Sequence, residues 1–212
     1  MKDLVFNGSE KRCHHADFIN FLIYKFGFQR YLEIGYFEGE TFHNVRCSYK
    51  HSVDPFISKE TYLSHRQHRW YEEFKAYPHQ ELYVYDLEEE GFAFRIDMKS
   101  PENTFIKIKH ESNFIHTSDT FFANLLPGIQ YDLIYIDGNH LYDFVQKDIS
   151  NSLDHISDDG IIVLDDYKLK GWWNDGVTKA IDYFVNKKKI KILDSHNLFN
   201  YHHQCILQKL DI

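Results

Sequence analysis

Cysteine is scarce in this sequence, and its pattern excludes two common kinds of scaffold. Only 3 cysteines occur among 212 residues, at Cys13, Cys47 and Cys205. They are widely spaced, odd in number and free of any C-x-x-C pattern, so they predict neither a disulfide framework nor a thiolate zinc site. A reducing compartment fits this use of cysteine best.

Long apolar runs and an excess of basic residues are also missing. No stretch reaches the roughly 18 apolar residues that a membrane span needs, and the N-terminal segment MKDLVFNGSEKRCHH lacks the apolar region of a signal peptide. The formal net charge is -8, which argues against holding a nucleic-acid backbone by bulk electrostatics, although a local basic cleft stays open. We expect a cytoplasmic protein that binds neither membranes nor nucleic acid.

The chain is long and apolar enough for one domain with a sizeable core. It has 212 residues, of which 43% are hydrophobic, and it contains no internal repeat or low-complexity stretch. We predict a single domain over residues 1–212, with an N-terminal helical segment over 1–28.

Apolar runs typical of strands alternate with helical patterns along most of the chain. The predicted parallel strands are 30–35, 51–56, 113–119, 131–138 and 160–166. The last two have nearly continuous apolar runs, which are typical of strands covered on both faces. Two further stretches, 190–196 and 204–210, are joined by a short loop and should pair antiparallel at one edge. The fold class is therefore α/β, with a mostly parallel sheet and helices on both faces.

One segment interrupts this alternation. Residues 80–110 contain the stretches LYVY, FAFRI and FIKIK, which alternate like exposed strands, and a helical pattern over 57–77 precedes them. We predict an inserted β-rich segment, either a hairpin or a small added sheet. Three roles stay open for it: a wall of the substrate site, the contact of a homodimer, or a surface elaboration.

Polar or small residues follow each predicted parallel strand. In an open α/β sheet, ligands bind outside the carboxyl ends of the strands. A single polar strand end, such as YIDGNH at 135–140, is equally well an ordinary turn, but five consecutive ends favour one common site. These residues are Glu33, Gly35 and Gly39, then Asp54, then Ser118 and Asp119, then Asp137 and His140, then Asp165 and Asp166.

The loop after the first strand differs from a dinucleotide fingerprint. That fingerprint needs closely spaced glycines beside a pyrophosphate, whereas this loop reads E-x-G-x-x-x-G from Glu33 to Gly39 and contains Tyr36 and Glu38. Glu38 would repel a phosphate, and an acidic loop suits a cofactor with a cationic group nearby. Asp54 follows about 20 residues on, where an acid accepts hydrogen bonds from ribose hydroxyls. This combination matches S-adenosylmethionine.

Five stretches together resemble a known family. YLEIGYFEGET, SVDP, SDTFFANL, YDLIYIDGNHLYDFVQKDISNSL and GIIVLDDY look like the class I S-adenosylmethionine-dependent methyltransferases, in the branch of the catechol-type and macrolide-sugar O-methyltransferases. The resemblance covers most of the chain outside 80–110. It implies a Rossmann-like methyltransferase fold and methyl transfer to a small polar acceptor, a sugar or another hydroxyl.

The resemblance also implies roles for the strand-end residues. Gly35 and Gly39 would let the backbone approach the methionine part of the cofactor, with Glu33 fixing the loop and Tyr36 lying within it. Asp54 would bind the ribose, and Ser118 and Asp119 would lie near the adenine. Asp137, Asp165 and Asp166 would hold a divalent cation, Mg²⁺ or else Mn²⁺ or Ca²⁺, beside the cofactor. His140 would act as general base, with Asp137 taking part in catalysis.

Alternatives remain open at this point. Many relatives have a histidine directly before the second aspartate of LDDY, where this sequence has Asp165. This difference leaves open whether the site uses a metal. Asp165 and Asp166 would serve equally as a helix cap and a solvated acid, and His140 as a packing residue. Tyr167, Trp172 and Trp173 would line an acceptor pocket or the core, and 158–160 reads as a turn. The competing functions are an inactive S-adenosylmethionine-binding accessory protein and a metal-dependent hydrolase.

Overall fold

The computed structural model describes residues 15–37, 39–54, 79–85, 92–97, 105–109, 117–122, 128–198 and 202–210. The described helices are α1 (His15–Phe26), α2 (Glu40–Asn44), α3 (Thr117–Thr120), α4 (Tyr142–His155) and α5 (Gly176–Asn186), with a 3-10 turn at Trp172–Asp175. None of them is both long and apolar enough to cross a membrane. The described strands are β1 (Arg30–Ile34), β2 (Tyr49–Asp54), β3 (His79–Tyr85), β4 (Phe92–Asp97), β5 (Phe105–Lys109), β6 (Tyr131–Ile136), β7 (Ile156–Leu164), β8 (Ile190–Leu198) and β9 (His202–Lys209).

All of the described strands belong to one sheet, in the order β5-β4-β3-β2-β1-β6-β7-β9-β8. The strands from β3 through β2, β1 and β6 to β7 run parallel to one another. β9 pairs antiparallel with β7, and β8 pairs antiparallel with β9 at the edge. The predicted mostly parallel sheet with an antiparallel edge is therefore confirmed.

Helices cover both faces of the central strands, as the nearly continuous apolar runs predict. On one face, Leu32 and Ile134 belong to the same buried cluster as residues of α4 and α5. On the other face, Tyr31 and Leu133 pack in a cluster with α1 and α2. Because neighbouring strand residues point to opposite faces, β1, β6 and β7 each contribute to both clusters.

The stretch 80–110 is rich in β-structure, as predicted, but it does not form a separate sheet. β3 lies parallel beside β2, and β4 and β5 continue the main sheet by antiparallel pairing. The alternating pattern predicted strands correctly. It carried no information on their partners, because pairing depends on contacts distant in the sequence.

Two other predictions differ from the structure. Residues 117–120 form α3 and not the end of a strand, so the strand that follows β2 in the parallel part of the sheet is β3. The stretch 158–160 lies within β7, where the pairing with β6 shifts register between Tyr131 and Leu133. The Asp-Asp-Gly sequence therefore marks an irregularity inside a strand and not a turn. The predicted helix over 57–77 and the residues 113–116 lie outside the described part of the chain.

Candidate active site

The loop between β1 and α2 depends on two glycines. Gly35 has a φ of 104° and Gly39 a φ of 77°, and both values lie where side chains are disfavoured. A Cβ on Gly35 would lie 2.3 Å from the backbone oxygen of Asp137, and a Cβ on Gly39 would lie 2.4 Å from the ring of Tyr36. Gly35 therefore lets the loop contact the end of β6, and Gly39 leaves room for the ring of Tyr36, independently of any ligand.

Asp54 holds the same loop from the end of β2. Its Oδ2 atom accepts hydrogen bonds from the backbone amides of Tyr36, at 2.8 Å, and Phe37, at 3.0 Å. The Tyr36 ring is buried and its hydroxyl lies 2.7 Å from Nε2 of His43, whereas Phe37 is 78% exposed. The predicted cofactor residues Tyr36 and Asp54 are thus joined by a hydrogen bond, and the amide of Gly35 donates to the backbone oxygen of Val53 at 2.9 Å. Glu38 lies outside the described residues.

Glu33 supports this region from within the core. Its side chain is buried, and Oε2 accepts a 2.6 Å hydrogen bond from the hydroxyl of Tyr31. Burial raises the pKa of Glu33 well above its ordinary value, with the charge of Asp137 adding to this effect. Burial therefore favours the neutral form of this carboxyl, which fits a part in positioning the loop better than the display of a charge.

A buried lysine that the sequence analysis missed completes the support of the loop. Lys50 lies in β2, and its Nζ donates to the backbone oxygens of Phe42 at 2.6 Å and Val45 at 2.9 Å. Burial lowers the pKa of Lys50 to about 7. The amine satisfies carbonyls at the end of α2 that the helix leaves without partners. The only sequence signal is a lysine within an otherwise buried strand.

Ser118 and Asp119, the predicted adenine residues, contact α4. The hydroxyl of the buried Ser118 donates to Oδ1 of Asp148. Asp119 accepts a 2.7 Å hydrogen bond from Asn151 and forms an ion pair with Lys147 at 3.2 Å. These contacts explain how α3 is positioned. The adenine role of both residues stays a prediction.

The structure brings together the four residues predicted at the ends of β6 and β7. Asp137 follows β6, and Asp165 and Asp166 follow β7, its immediate neighbour. Nε2 of His140 lies 3.4 Å from Oδ1 of Asp137 and 3.3 Å from Oδ2 of Asp166. We name Asp137, His140, Asp165 and Asp166 the acid cluster.

Three further residues contact the acid cluster. Nε2 of His15, the first residue of α1, lies 3.5 Å from Oδ2 of Asp165, and its Nδ1 lies 4.0 Å from Oδ2 of Asp137. Gln204 of β9 donates from its side-chain amide to Oδ1 of Asp165. The hydroxyl of Tyr135 lies 3.3 Å from Oδ2 of Asp137. Neither His15 nor Gln204 belongs to a sequence motif, and the stretch YIDGNH that begins with Tyr135 does not show that the Tyr135 hydroxyl reaches Asp137.

Charges within the acid cluster perturb one another. Burial and the neighbouring charge of Asp165 raise the pKa of Asp137. Burial alone would lower the pKa of His140, but the hydrogen bond and charge of Asp137, together with the charge of Asp166, outweigh it and raise that pKa above 6.5. A protonated His140 therefore compensates part of the negative charge.

The donor atoms of the acid cluster also fit a divalent cation. One donor atom each of His15, Asp137 and Asp165 lies within 4.8 Å of the other two. Asp166, the third predicted metal ligand, is not a member of this set, and its Oδ2 faces His140 instead. The set found among the described residues therefore replaces one of the three predicted carboxylates by an imidazole.

One tryptophan lies beside the acid cluster. Trp173 is 50% exposed, and its ring lies 6.3 Å from that of His140 with 25° between the planes. A Cβ on Gly176 would lie 2.2 Å from the backbone oxygen of His140, so the turn that carries Trp173 packs tightly against this region. Tyr167 is buried in the core, and the side chain of Trp172 lies outside the described part.

Comparison with known families gives one match that spans most of this site. The family described as "Methyltransferase domain" matches residues 32–167. This range includes the glycine loop, Asp54 and the acid cluster. No curated protein matches the sequence.

Solved structures show that the fold is shared. An O-methyltransferase from Bacillus cereus, in complex with S-adenosylhomocysteine, aligns at a TM-score of 0.58 and 10% identity over 95% of this chain and 84% of its own. The O-methyltransferase TomG from Streptomyces achromogenes, in complex with S-adenosylmethionine, aligns at a TM-score of 0.59 and 11% identity. The alignment covers 92% of this chain and 79% of TomG. The methyltransferase PaMTH1 from Podospora anserina, bound to S-adenosylhomocysteine, aligns at a TM-score of 0.56 and 17% identity. The alignment covers 92% of this chain and 78% of PaMTH1.

Proposed function

This chain belongs to the methyltransferase-domain family, and from that premise we propose that it transfers a methyl group from S-adenosylmethionine to a hydroxyl of a small polar acceptor. The observation that carries the proposal is the contact between the glycine loop and the acid cluster. Gly35 packs against the backbone of Asp137, whose carboxylate adjoins His140. A cofactor on the loop would therefore present its methyl group close to a histidine and three carboxylates.

The loop from Gly35 to Gly39, held by Asp54, is the proposed cofactor site. Gly35 leaves backbone without a side chain next to the backbone of Asp137 at the end of β6, and Gly39 leaves room for the ring of Tyr36 within the loop. Asp54 accepts two loop amides through Oδ2, and each oxygen of a carboxylate has lone pairs that can accept more than one hydrogen bond, Oδ1 included. That oxygen is the proposed partner of the ribose hydroxyls. Support also comes from the Bacillus and Streptomyces structures, which contain S-adenosylhomocysteine and S-adenosylmethionine.

His140 is the proposed general base. The acceptor hydroxyl gives its proton to Nε2 of His140, and its oxygen attacks the methyl carbon in line with the bond from sulfur to carbon. That bond breaks with its electron pair left on sulfur, so S-adenosylhomocysteine is released. Because nearby carboxylates raise the pKa of His140, the free base predominates only at pH values above that raised pKa.

The acid cluster fits a divalent cation, which would be held by Asp137 and Asp165 with a third donor. When bound, such an ion lowers the pKa of a hydroxyl that coordinates it. The carboxylates orient the acceptor, and His140 receives the proton. Without a cation, the charge of Asp165 raises the pKa of Asp137, so the proximity of these two acids is more easily maintained when a positive charge lies between them.

A sugar or a similar polyol is the proposed acceptor class. The half-exposed Trp173 beside His140 offers a flat face of the kind that packs against sugar rings and other flat ligands. Two of the structures with this fold are named O-methyltransferases. The net charge of -8 fits a small molecule better than a nucleic acid, and a cytoplasmic location fits the use of cysteine.

An inactive S-adenosylmethionine-binding accessory protein is the second function to be tested. Such a protein would need the glycine loop and Asp54 but would have no use for His140 placed between two carboxylates. A metal-dependent hydrolase is a weaker alternative, because it would need neither the glycine loop nor Asp54.

Cofactor binding and turnover separate these functions. Titration calorimetry of the full chain with S-adenosylhomocysteine should show one site. Incubation with methyl-labelled S-adenosylmethionine and a panel of sugars, polyols and catechols should then transfer label to one acceptor class. Cofactor binding by the wild-type protein without label transfer to any acceptor would favour the accessory protein. The absence of cofactor binding would contradict both functions.

A further inference from the structure

We infer that His15 supplies a nitrogen ligand to a divalent cation in the acid cluster, so that the site selects a transition metal ion such as Co²⁺ or Zn²⁺ over Mg²⁺. The inference rests on the proposed function for the chemical purpose of the cation. Its geometric basis is independent of that function. It changes the expected metal class, since three carboxylates alone would favour Mg²⁺, Ca²⁺ or Mn²⁺.

The geometry places a histidine where a third carboxylate was predicted. Nε2 of His15 lies 3.5 Å from Oδ2 of Asp165 and Nδ1 lies 4.0 Å from Oδ2 of Asp137. The three residues offer one imidazole nitrogen and two carboxylate oxygens, all within 4.8 Å of one another. Donors at such separations surround a space in which metal-to-ligand bonds of about 2.0–2.2 Å can form with small adjustments of side-chain torsions.

Helix α1 is held firmly enough to keep His15 in this position. Ala16, Phe18 and Ile19, which follow His15 directly or closely, are buried in the core. Asn20 joins α1 to the end of α2 in both directions: its amide donates to the backbone oxygen of Asn44 at 2.8 Å, and its oxygen accepts from the amide of Arg46 at 2.6 Å. The start of α1 is therefore positioned by packing and hydrogen bonds that do not involve the acid cluster.

Gln204 provides an independent observation at the same place. Its side chain is fully buried, and its amide nitrogen donates to Oδ1 of Asp165. Its amide oxygen has no hydrogen-bond partner among the described residues, although a buried unpartnered carbonyl is costly. The amide fixes the orientation of the Asp165 carboxylate, as neighbours of metal ligands commonly do, and it leaves an oxygen donor available for a water or a cation nearby.

The choice of metal follows from the donor set. Mg²⁺ prefers oxygen ligands in near-ideal octahedral geometry and gives up its waters reluctantly. An imidazole favours zinc, iron, nickel and copper, and affinity for a given nitrogen and oxygen site rises from Mn²⁺ through Co²⁺ towards Cu²⁺. One histidine with two carboxylates therefore predicts weak binding of Mg²⁺ and clearly tighter binding of Co²⁺ and Zn²⁺.

The test uses metal titrations of the full chain with and without His15. Calorimetry with Co²⁺, Zn²⁺ and Mg²⁺ should show wild-type affinity for Co²⁺ and Zn²⁺ at least about tenfold above that for Mg²⁺. His15→Ala should lose at least about tenfold in Co²⁺ affinity and change the visible absorption of bound Co²⁺. His15→Asp, which makes the donor set all oxygen, should shift the preference back towards Mg²⁺.

His155→Gln is the matched control, because His155 lies on α4 and stacks on Phe122 away from the acid cluster. This variant should bind Co²⁺ with wild-type affinity and spectrum. Equal Co²⁺ affinity and identical spectra for the wild-type protein and His15→Ala would overturn the inference, as would the absence of binding of any of the three ions. S-adenosylhomocysteine titrations of the same samples test the proposed function separately, since cofactor binding does not require His15.

Discussion

The Oδ2 atom of Asp54 accepts a 2.8 Å hydrogen bond from the backbone amide of Tyr36, so the acid at the end of β2 determines the shape of the loop after β1. The same oxygen also accepts the amide of Phe37. We expect Asp54→Ala to lower the affinity for S-adenosylhomocysteine by at least about tenfold, because the loop loses two charge-assisted hydrogen bonds and the ribose loses its proposed partner. Titration calorimetry measures this directly.

Asp132 offers a matched control at the opposite end of the sheet. Its Oδ2 atom also accepts two backbone amides, those of Gln29 at 2.8 Å and Arg30 at 3.0 Å. Asp132→Ala should lose a similar amount of stability and keep its cofactor affinity. Equal affinity losses in both variants would mean that the effect is general destabilisation, and the assignment of Asp54 would fail.

The second prediction concerns Gly35. A methyl group there would meet the backbone oxygen of Asp137 at 2.3 Å, in addition to the cost of a positive φ. Gly35→Ala should therefore lose about 3 kcal/mol or more in the free energy of unfolding, as overpacking adds to a backbone cost of about 1–2 kcal/mol. Denaturant unfolding measures this loss, and cofactor binding should weaken in parallel.

Gly128 is a control that separates the steric cost of a Cβ from the cost of a side chain at positive φ. It has a φ of 80°, and a Cβ there would meet no atom of the described residues within 4 Å. Gly128→Ala therefore bears the backbone cost alone, about 1–2 kcal/mol. A Gly35→Ala variant no less stable than Gly128→Ala would show that the contact between the loop and β6 tolerates a side chain.

Third, we expect His140→Gln to lower the rate of methyl transfer by about 10²–10⁴, which is the usual contribution of a general base. Affinity for S-adenosylhomocysteine should stay within about twofold of wild type, because His140 is not placed on the cofactor loop. Single-turnover transfer of labelled methyl to the acceptor found in the panel would measure the rate. A variant with wild-type turnover would leave His140 as a packing residue beside Trp173.

Fourth, the buried Asp148 should make stability fall as the pH rises. Burial raises its pKa to about 7, although the hydrogen bond from Ser118 lowers it. Between an unfolded value of about 4 and this pKa, the folded protein keeps a proton that the unfolded chain has released, so the free energy of unfolding decreases with pH across that window. The side chain introduced by Asp148→Asn cannot titrate. As the pH rises from 4 to 7, this variant should therefore gain stability relative to wild type, by at most about 1.4 kcal/mol per pH unit.

Denaturant unfolding at several pH values between 4 and 8 tests this slope. Asp154→Asn, an exposed position on the same helix, serves as the control and should leave the pH dependence of wild type unchanged. A constant difference between wild type and Asp148→Asn at every pH would show that folding does not raise the pKa of Asp148.

The sequence alone was sufficient for β1, β2, β6 and β7 of the parallel core and for the four residues of the acid cluster. Parallel strands that are adjacent in a sheet end at the same edge, so acids directly after β6 and β7 must lie close together once the two apolar runs are recognised as neighbours. Asp137, His140, Asp165 and Asp166 were predicted in this way, and the loop from Glu33 to Gly39 with Asp54 was identified from the spacing of its glycines and acids.

Tertiary structure alone decided which residues from distant elements join the acid cluster. His15 comes from α1 and Gln204 from β9, and nothing local in either segment shows which face or which strand end it will reach. The same limit applies to Lys50, whose partners are carbonyls of a helix, and to β3, whose parallel partner is β2. Local patterns depend on the periodicity of side chains along one element, whereas the packing of elements depends on shape and burial summed over the whole core, which no short stretch of sequence contains.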